Sequence, residues 1–255
     1  MNFLENYTDK KEWEEPICNY CGSDKNNHSI FLKNPMNSGT DLVKCNKCGL
    51  KFYSPRVKFD AILNRGYTTD QYAKKEAENF FENCSFFEVE NKEQQKKLIK
   101  DYYCGKVQSI VDMTGVKPKS VIEIGGCVGY FLSAIKSMGA EKIAGCDINI
   151  WSAKIAQEKF GFSDYEGCMF SKYAIKDTYD WGVMLDYIEH TYTPFDDLKK
   201  ICSALKPGGI LLIKTFSDDK DTNHEMLAPF GHPIHFDESV LLKMISDSGF
   251  KVVKF

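Results

Sequence analysis

The stretch Val121–Gly129 reads VIEIGGCVG, and the helical pattern Tyr130–Met138 follows it at once. An apolar run with Glu123 near its end breaks into a glycine cluster, which predicts a strand, a tight turn and a helix. Such a unit opens a doubly wound α/β sheet and is a usual place for a nucleotide-like cofactor. Glycines let the backbone approach a ligand that a Cβ would hold away.

The spacing of these glycines separates two classes of cofactor. The dinucleotide pattern G-x-G-x-x-G, begun at Gly125, needs glycines where Cys127 and Tyr130 stand, so it fails twice and disfavours an NAD-dependent oxidoreductase. An acidic residue followed by G-x-G-x-G, begun at Glu123, finds Gly125 and Gly129 and loses only the middle glycine. By this motif the chain resembles the class I S-adenosylmethionine (SAM) dependent methyltransferases.

Two later segments extend the resemblance to roughly residues 119–255. Lys142–Ile148, KIAGCDI, predicts a second strand ending in Asp147, about where doubly wound folds place a carboxylate on ribose hydroxyls. Aspartate also favours a helix cap, and the two roles are compatible. Tyr179–Phe216 resembles the later family pattern: a fourth strand, an IEH signature, a helix, an LKPGG turn and a fifth strand. The expected fold is therefore an α/β, Rossmann-like methyltransferase sheet.

The resemblance also implies which residues contact SAM. They come from the glycine turn, the ends of the second to fourth strands and a tyrosine ahead of the first motif. The set is Tyr72, Glu123, Gly125, Gly126, Cys127, Gly129, Asp147, Ile148, Cys168, Met169 and Asp186. Tyr67 and Tyr72 either line the cofactor or substrate pocket or pack a helical lid on the sheet.

Composition limits the class of protein. The 255 residues are 43% hydrophobic and 27% charged, which suits one large domain with a small appendage. A net charge of -3 and an isoelectric point near 6.0 argue against a nucleic-acid partner held through phosphates. No apolar run has the length of a membrane span, and the polar N-terminus lacks a signal-peptide core. We therefore expect a cytoplasmic protein with no membrane partner.

Four of the ten cysteines form two matched C-x-x-C-G motifs. Each CxxC turn directs two sulfur atoms to one point, the glycine permits the tight return, and two turns complete a tetrahedral Zn²⁺ site. The predicted metal ligands are Cys18, Cys21, Cys45 and Cys48. A site closed by four cysteines has no open position, so the zinc of this ribbon is expected to be structural, with a scaffold or substrate-shaping role.

The chain is expected to divide into three parts. Residues 1–58 form the zinc ribbon, 59–117 a helical lid or linker, and 118–255 the SAM-binding domain. Helical patterns cover Lys74–Phe87 and Asn91–Met113, and Asp164–Met169 reads as the third strand. The sequence ends at Phe255 inside an apparent sixth strand, whereas the family normally adds a seventh; we expect either a missing segment or a different sheet edge.

Candidate catalytic residues lie after the fourth and fifth strands. His224, His232 and His235 fall in one polar loop at the ligand-binding end of the predicted sheet, which makes one of them a candidate general base. Their spacing matches no standard zinc pattern. By the resemblance, His235 in PIHF stands where ribbon-bearing sugar methyltransferases carry a catalytic histidine. The tyrosine that often precedes this histidine in the family is replaced here by Phe230.

Glu189 and His190, from the IEH signature, are secondary catalytic candidates, because in the family they commonly shape the pocket floor.

The ribbon, lid and methyltransferase domain together resemble bacterial enzymes that methylate nucleotide-linked sugars for surface polysaccharides or antibiotics. This implies O-methylation of a small nucleotide-sugar substrate, with C-methylation beside a keto group as the close alternative. A third hypothesis is a ribbon-containing RNA-binding protein with a degenerate methyltransferase fold. Cys127 in the cofactor turn favours it, whereas Glu123, Gly125, Gly129 and Asp147 oppose it.

Overall fold

The computed structural model describes residues 9–63, 71–83, 92–218, 227–229 and 231–253. The chain groups into two compact units by its contacts. The ribbon unit comprises Met1–Leu63, Asp186–Cys202 and Lys214–Phe255, and the sheet unit comprises Asn64–Leu185 and Ser203–Ile213. Each unit therefore combines segments that are distant in sequence.

The N-terminal part of the ribbon unit is built from short strands. They are β1 (Trp13–Glu14), β2 (His28–Leu32), β3 (Asp41–Cys45), β4 (Lys51–Ser54) and β5 (Arg56–Val57), followed by helix α1 (Phe59–Ile62). β2, β3 and β4 form an antiparallel meander, and β1 pairs with β5. The turn between β3 and β4 contains the second CxxCG motif, and its Gly49 has a φ of 83°, which favours glycine.

The sheet unit alternates strands and helices. Its elements are α2 (Gln71–Asn83), α3 (Lys92–Thr114), β6 (Ser120–Ile124), α4 (Tyr130–Ser137), β7 (Lys142–Asp147), α5 (Ile150–Phe160), β8 (Tyr165–Gly167), β9 (Tyr179–Leu185) and β10 (Leu205–Lys214). The strand order is β10-β9-β6-β7-β8, and β6 pairs in parallel with both β7 and β9. The chain thus leaves β6 in one direction and returns on its other side at β9, which is the doubly wound arrangement.

Burial explains why β6 is central. All five of its residues are buried, as expected for a strand covered on both faces. Phe131, Leu132 and Ile135 on α4 supply one apolar stripe against the core, where Trp181 of β9 is fully buried. The side chain of Asn149 caps α5 by accepting hydrogen bonds from two backbone amides.

The C-terminal segments complete the ribbon unit with α6 (Pro194–Ser203), β11 (Ile234–His235) and α7 (Glu238–Asp247). β11 pairs antiparallel with β4, so Ile234 lies opposite Phe52 and His235 opposite Lys51. The ribbon meander thereby becomes a four-stranded sheet in the order β11-β4-β3-β2. One strand of that sheet comes from the far end of the chain.

The α/β fold class with a Rossmann-like parallel sheet is confirmed. The third strand is shorter than predicted, and the LKPGG segment lies at the beginning of β10 instead of in a turn before it. Lys251–Val253 have no strand structure, so the predicted sixth strand is absent from these residues. The division at residues 58 and 117 into a zinc ribbon, a helical lid or linker and a SAM-binding domain stays a prediction. No helix in the described parts of the chain is long and apolar enough to span a membrane.

Candidate SAM and catalytic sites

The glycine turn after β6 has the backbone that its motif predicts. Gly125 and Gly129 have φ values of 71° and 83°, and Cys127, at the position of the missing glycine, has a φ of 49°. All three lie in the left-handed region, which costs a non-glycine residue about 1–2 kcal/mol. Cys127 therefore keeps the course of the turn and bears a strain that glycine would avoid.

Hydrogen bonds from neighbouring strands hold this turn. The Cys127 amide donates to Asp147 Oδ2 at 2.8 Å, and the Cys127 carbonyl accepts from the Tyr165 hydroxyl at 3.0 Å. The Gly125 amide donates to the Cys146 carbonyl at 2.8 Å. These bonds fix the strained residue from both sides, so the turn is preorganised without a ligand.

Asp147 links the turn to the following helix. Its Oδ1 atom accepts from the Asn149 amide at 2.8 Å, just before α5, while Oδ2 holds Cys127. Burial raises the pKa of Asp147, and these two amide hydrogen bonds oppose that shift. Each carboxylate oxygen keeps a second lone pair, so the predicted contact with ribose hydroxyls is compatible with both bonds.

Glu123 lies under the glycine turn and is 2% exposed. A Cβ added to Gly126 would be 2.5 Å from its Oε2 atom, so only glycine fits there. Burial, with a smaller contribution from the charge of Asp147, raises the pKa of Glu123 to about 8. Oε2 has no hydrogen-bond partner among the described residues. A buried polar atom without a partner indicates a missing ligand or water, and SAM carries donors for it, so these residues fit SAM.

The other predicted SAM contacts fall into three groups. Ile148, Cys168 and Met169 are partly exposed and follow β7 and β8, in the sheet unit. Asp186 belongs to the ribbon unit, has a φ of 50° and forms an ion pair with Lys214 at 2.5 Å.

Two tyrosines named by the sequence analysis lie wholly or partly outside the described residues. The backbone of Tyr72 lies in α2, but its side chain is outside the described residues, as is the whole of Tyr67.

The four predicted metal ligands come together in the ribbon unit. All four Sγ atoms lie within 4.8 Å of one another. Cys18 and Cys48 are 3.4 Å apart and Cys21 and Cys45 are 3.5 Å apart, near the ~3.8 Å expected between thiolates around one Zn²⁺. The hydrogen bond between Cys18 and Cys48 is the main cause that lowers the pKa of Cys18 to about 5 and raises the pKa of Cys48, so without a metal this pair keeps one proton between the two sulfur atoms.

The two cysteine turns have the same hydrogen-bond pattern. The amides of Gly22 and Gly49 each donate at 2.8 Å to the carbonyl of the first cysteine of their motif, Cys18 and Cys45. Each of these cysteines also donates its own amide to the residue after the glycine. The repeated geometry brings two pairs of sulfur atoms to one place, as a four-cysteine metal site requires.

His235 lies inside the ribbon unit on β11 and is fully buried. Its Nδ1 atom is 2.9 Å from Asp218 Oδ1, whereas Nε2 has no hydrogen-bond partner within the described part of the chain. The ring also packs edge-on against Tyr53 and Phe216, at centroid distances of 5.8 and 5.4 Å. This is the arrangement of a histidine whose orientation is fixed by a carboxylate.

His232 and His190 form a second histidine group. Their ring centroids are 4.8 Å apart, and Phe216 lies 5.1 Å from His232. His190 Nδ1 is 2.5 Å from the Gly231 carbonyl, so Nδ1 donates this hydrogen bond. Phe216 therefore contacts both His232 and His235. His224 and Phe230, which the sequence also singled out, lie outside the described residues.

Glu189 is 2% exposed, and burial raises its pKa, with the nearby His190 acting in the opposite direction. Its backbone carbonyl accepts from the Ile234 amide at 3.3 Å and so helps to hold β11. The structure thus brings Glu189, His190, His232 and His235 into one unit.

Sequence reasoning missed Lys51, Phe216 and Asp218. Lys51 is buried and its amine forms ion pairs with Asp218 at 3.0 Å and with Asp237. Burial lowers the pKa of Lys51, but the two carboxylates outweigh burial and raise it. In the same way, burial raises the pKa of Asp218, whereas His235 and Lys51 outweigh it and lower that pKa. Asp218 belongs to the polar stretch after the predicted fifth strand, but nothing in the sequence indicates its pairing with Lys51 and His235.

Comparison with known proteins gives one family and several solved structures of similar fold. Residues 95–254 match a family described as a methyltransferase domain. No curated protein matches the chain at a significant level.

Three of the solved structures that match this chain have the following measures of similarity. A candidate O-methyltransferase from Nostoc punctiforme is 20% identical with a TM-score of 0.51, and the match covers 60% of this chain and 51% of that one. A chain from a Haloferax volcanii complex of a methyltransferase activator and a candidate methyltransferase is 18% identical, with a TM-score of 0.52 and coverages of 63% and 73%. A SAM-dependent methyltransferase from Thermotoga maritima is 20% identical, with a TM-score of 0.48 and coverages of 64% and 77%. The chain thus spans about half the length of the Nostoc protein.

The raised pKa of Glu123 predicts a pH-dependent loss of stability. Between about pH 4.5 and 8 the unfolded carboxyl is ionised while the folded one keeps its proton, so the free energy of unfolding falls as pH rises. Relative to Glu123→Gln, the wild type should lose about 1.4 kcal/mol per pH unit in this window. Denaturant unfolding of both proteins without SAM measures this difference. A constant difference across the window would contradict the assigned pKa.

The positive φ of Cys127 predicts opposite results for two substitutions. Cys127→Gly should leave the dissociation constant of SAM within about 3-fold, because glycine adopts this conformation freely. Cys127→Val should weaken binding at least about 10-fold, since a β-branched residue is strained at φ above zero. Calorimetric titration of SAM measures both. If glycine weakens binding as much as valine does, the thiol itself contributes.

Proposed function

The chain belongs to the methyltransferase domain family, and we propose that this enzyme transfers the methyl group of SAM to a hydroxyl of a nucleotide-activated sugar. The proposed products serve surface polysaccharide or related glycan synthesis in the cytoplasm. The family membership supports methyl transfer and SAM as the methyl donor. The combination of a four-cysteine module with this domain supports the sugar acceptor by the resemblance described above.

The pairing of Asp218 with His235 carries the proposal that the enzyme has a general base for its acceptor. A sugar hydroxyl is weakly acidic, so its attack on an electrophilic methyl group needs a base to accept the proton. A carboxylate accepts from Nδ1 at 2.9 Å and leaves the lone pair of Nε2 available. We therefore assign proton acceptance to Nε2 of His235, with His232, His190 and Glu189 as alternatives.

The residues of this chain have two tasks in the reaction. Bound SAM supplies a methyl group that is already electrophilic. Glu123, Gly126 and Asp147 are proposed to hold the cofactor beside the glycine turn, and His235 is proposed to take the proton of the acceptor hydroxyl at Nε2. Because His235 is buried, the acceptor must displace a neighbouring side chain to reach it, and solvent has little access to the base. The remaining SAM contacts, including Tyr72, Cys168, Met169 and Asp186, stay part of the proposal.

We also propose that Cys18, Cys21, Cys45 and Cys48 hold one structural Zn²⁺. The clustering of four sulfur atoms and the matched turns support it. Four protein ligands fill the tetrahedral shell, so this metal would stabilise the ribbon unit and take no part in methyl transfer.

C-methylation of a keto sugar would use the same base to form an enolate. The reaction product therefore distinguishes O-methylation from C-methylation. The purified protein should be incubated in heavy water with SAM and a panel of GDP-, UDP- and dTDP-linked sugars. O-methylation adds one methyl group without deuterium on carbon. Deuterium on a carbon beside a carbonyl would establish C-methylation instead, and SAM binding without any methylated sugar would remove this acceptor class.

Substitution of the histidines predicts which one is the base. His235→Gln should lower kcat at least about 100-fold at saturating substrate while SAM affinity stays within about 3-fold, since a positioned base contributes roughly 10²–10⁴-fold. His232→Gln replaces the other histidine ring that packs against Phe216, and it should lower kcat less than His235→Gln does. Full turnover by His235→Gln, with loss in His232→Gln, would transfer the assignment to His232.

The metal proposal predicts one zinc atom per chain by elemental analysis. Cys21→Ser should lose that zinc and lower the melting temperature, because a serine oxygen is a poor replacement for a thiolate. Cys104→Ser, a cysteine of the sheet unit outside the cluster, is the matched control and should keep the metal. Purified wild-type protein without zinc would refute the site.

A further inference from the structure

Lys51 reaches the candidate base through a shared carboxylate. The Lys51 side chain is 4% exposed, and its Nζ atom is 3.0 Å from Asp218 Oδ2. The other oxygen of Asp218, Oδ1, is 2.9 Å from His235 Nδ1. The carboxylate of Asp218 therefore contacts the Lys51 amine with one oxygen and the His235 imidazole with the other.

The sheet register fixes this arrangement. Lys51 lies directly opposite His235 in the pairing of β4 with β11, and opposite Lys44 in the pairing of β3 with β4. The lysine on β4 thus comes from the ribbon meander, and the histidine comes from the C-terminal segment. Folding of the four-stranded sheet is what brings them together.

Asp218 determines the tautomer of neutral His235. An ionised carboxylate only accepts hydrogen bonds, so Nδ1 must carry the proton and Nε2 must carry the lone pair. Nε2 is buried and has no hydrogen-bond partner among the described residues. The atom that the proposed reaction needs is thereby kept unprotonated, and no described residue forms a hydrogen bond with it.

The charges around His235 balance when its ring is neutral. Lys51 and Lys44 offset Asp218 and Asp237: Lys51 contacts both carboxylates, and Lys44 lies 3.6 Å from Asp237. The Tyr53 ring packs against His235, and the Phe31 ring lies 4.4 Å from Lys51 Nζ; neither adds a charge at neutral pH. Without Lys51, Asp218 would attract a proton to His235 more strongly.

We propose that Lys51 and Asp218 are positioning residues for His235: Asp218 fixes its Nδ1–H tautomer, and Lys51 weakens the pull of Asp218 so that the imidazole stays neutral and ready to accept a proton. This inference rests on the proposed role of His235 as the base. By this proposal the ribbon unit contributes to the chemistry, because the Lys51 amine on its strand β4 supplies the positive charge that keeps His235 neutral.

The two residues predict pH shifts of opposite sign. In Lys51→Met, Asp218 acts on His235 alone, so the ring keeps its proton to higher pH and the acidic limb of the kcat profile should move up. In Asp218→Asn the anion is gone, so this limb should move to lower pH, and kcat should fall at least about 100-fold because the tautomer is no longer enforced. Lys44→Met removes a lysine that lies 3.6 Å from Asp237 and forms no ion pair with Asp218, so the acidic limb should move in the same direction as in Lys51→Met but by less.

Nitrogen-15 NMR of histidine-labelled protein tests the inference independently of any acceptor. The wild-type spectrum, assigned with His235→Gln, should give the Nδ1–H tautomer for His235, and its titration should move up in Lys51→Met and down in Asp218→Asn. An Nε2–H tautomer, or identical titrations in wild type and Lys51→Met, would overturn the proposal. Melting temperatures and circular dichroism identify misfolded variants. If Lys51→Met unfolds, Lys51→Gln removes the same charge with a polar side chain.

The same spectra separate the two proposals. The expected NMR shifts together with full turnover in His235→Gln would retain the charge coupling and remove His235 as the base. A correct product but unshifted NMR titrations would retain the sugar methyltransferase and refute the roles of Lys51 and Asp218.

Discussion

The antiparallel pairing of β11 with β4 is the constraint on which the ribbon unit depends. It is only two residues long in β11, yet it places His235 opposite Lys51 and Ile234 opposite Phe52. One pair of side chains is apolar and fully or almost fully buried, and the other carries the buried ion-pair network. Because alternate residues of a strand face opposite sides, this register decides which side of the sheet holds charge. A slip of one residue would bury Lys51 against apolar groups.

A comparable constraint acts on the glycine turn of the sheet unit. The carboxylate of Asp147 connects the amide of Cys127 to that of Asn149, and so couples the turn to the start of α5. The left-handed conformation of Cys127 persists because this bond and the one from Tyr165 hold it in place. The substitution of the motif's middle glycine thus leaves the backbone as the motif requires, which removes the main argument for a degenerate cofactor turn.

The sequence could predict what depends on local pattern. Glycine spacing identified Gly125 and Gly129, strand ends identified Asp147, and paired CxxCG turns identified the four clustered cysteines, because each pattern lies within a few residues along the chain. The role of Lys51 could not be predicted in this way. Its carboxylate partner is 167 residues away, and a lysine at an ordinary strand position normally points to solvent.

The same limit applies to the histidine segment. The sequence predicted a loop around His235, whereas the structure has His235 in a two-residue strand that pairs with β4 in the ribbon unit. A two-residue strand has no alternation of polar and apolar residues long enough to recognise, so only the tertiary pairing defines it.

Two buried carboxyl groups illustrate how these surroundings assign chemical roles. Burial, with a smaller contribution from the charge of Asp147, raises the pKa of Glu123 to about 8, so this carboxyl is mostly neutral near pH 7. Asp218 is largely buried, with 9% of its side chain exposed, but His235 and Lys51 outweigh burial and lower its pKa, so it stays an anion. A neutral carboxyl can donate a hydrogen bond, whereas an anion can only accept one. Glu123 is therefore suited to binding a cofactor group and Asp218 to orienting an imidazole, and an exchange of their environments would abolish both roles.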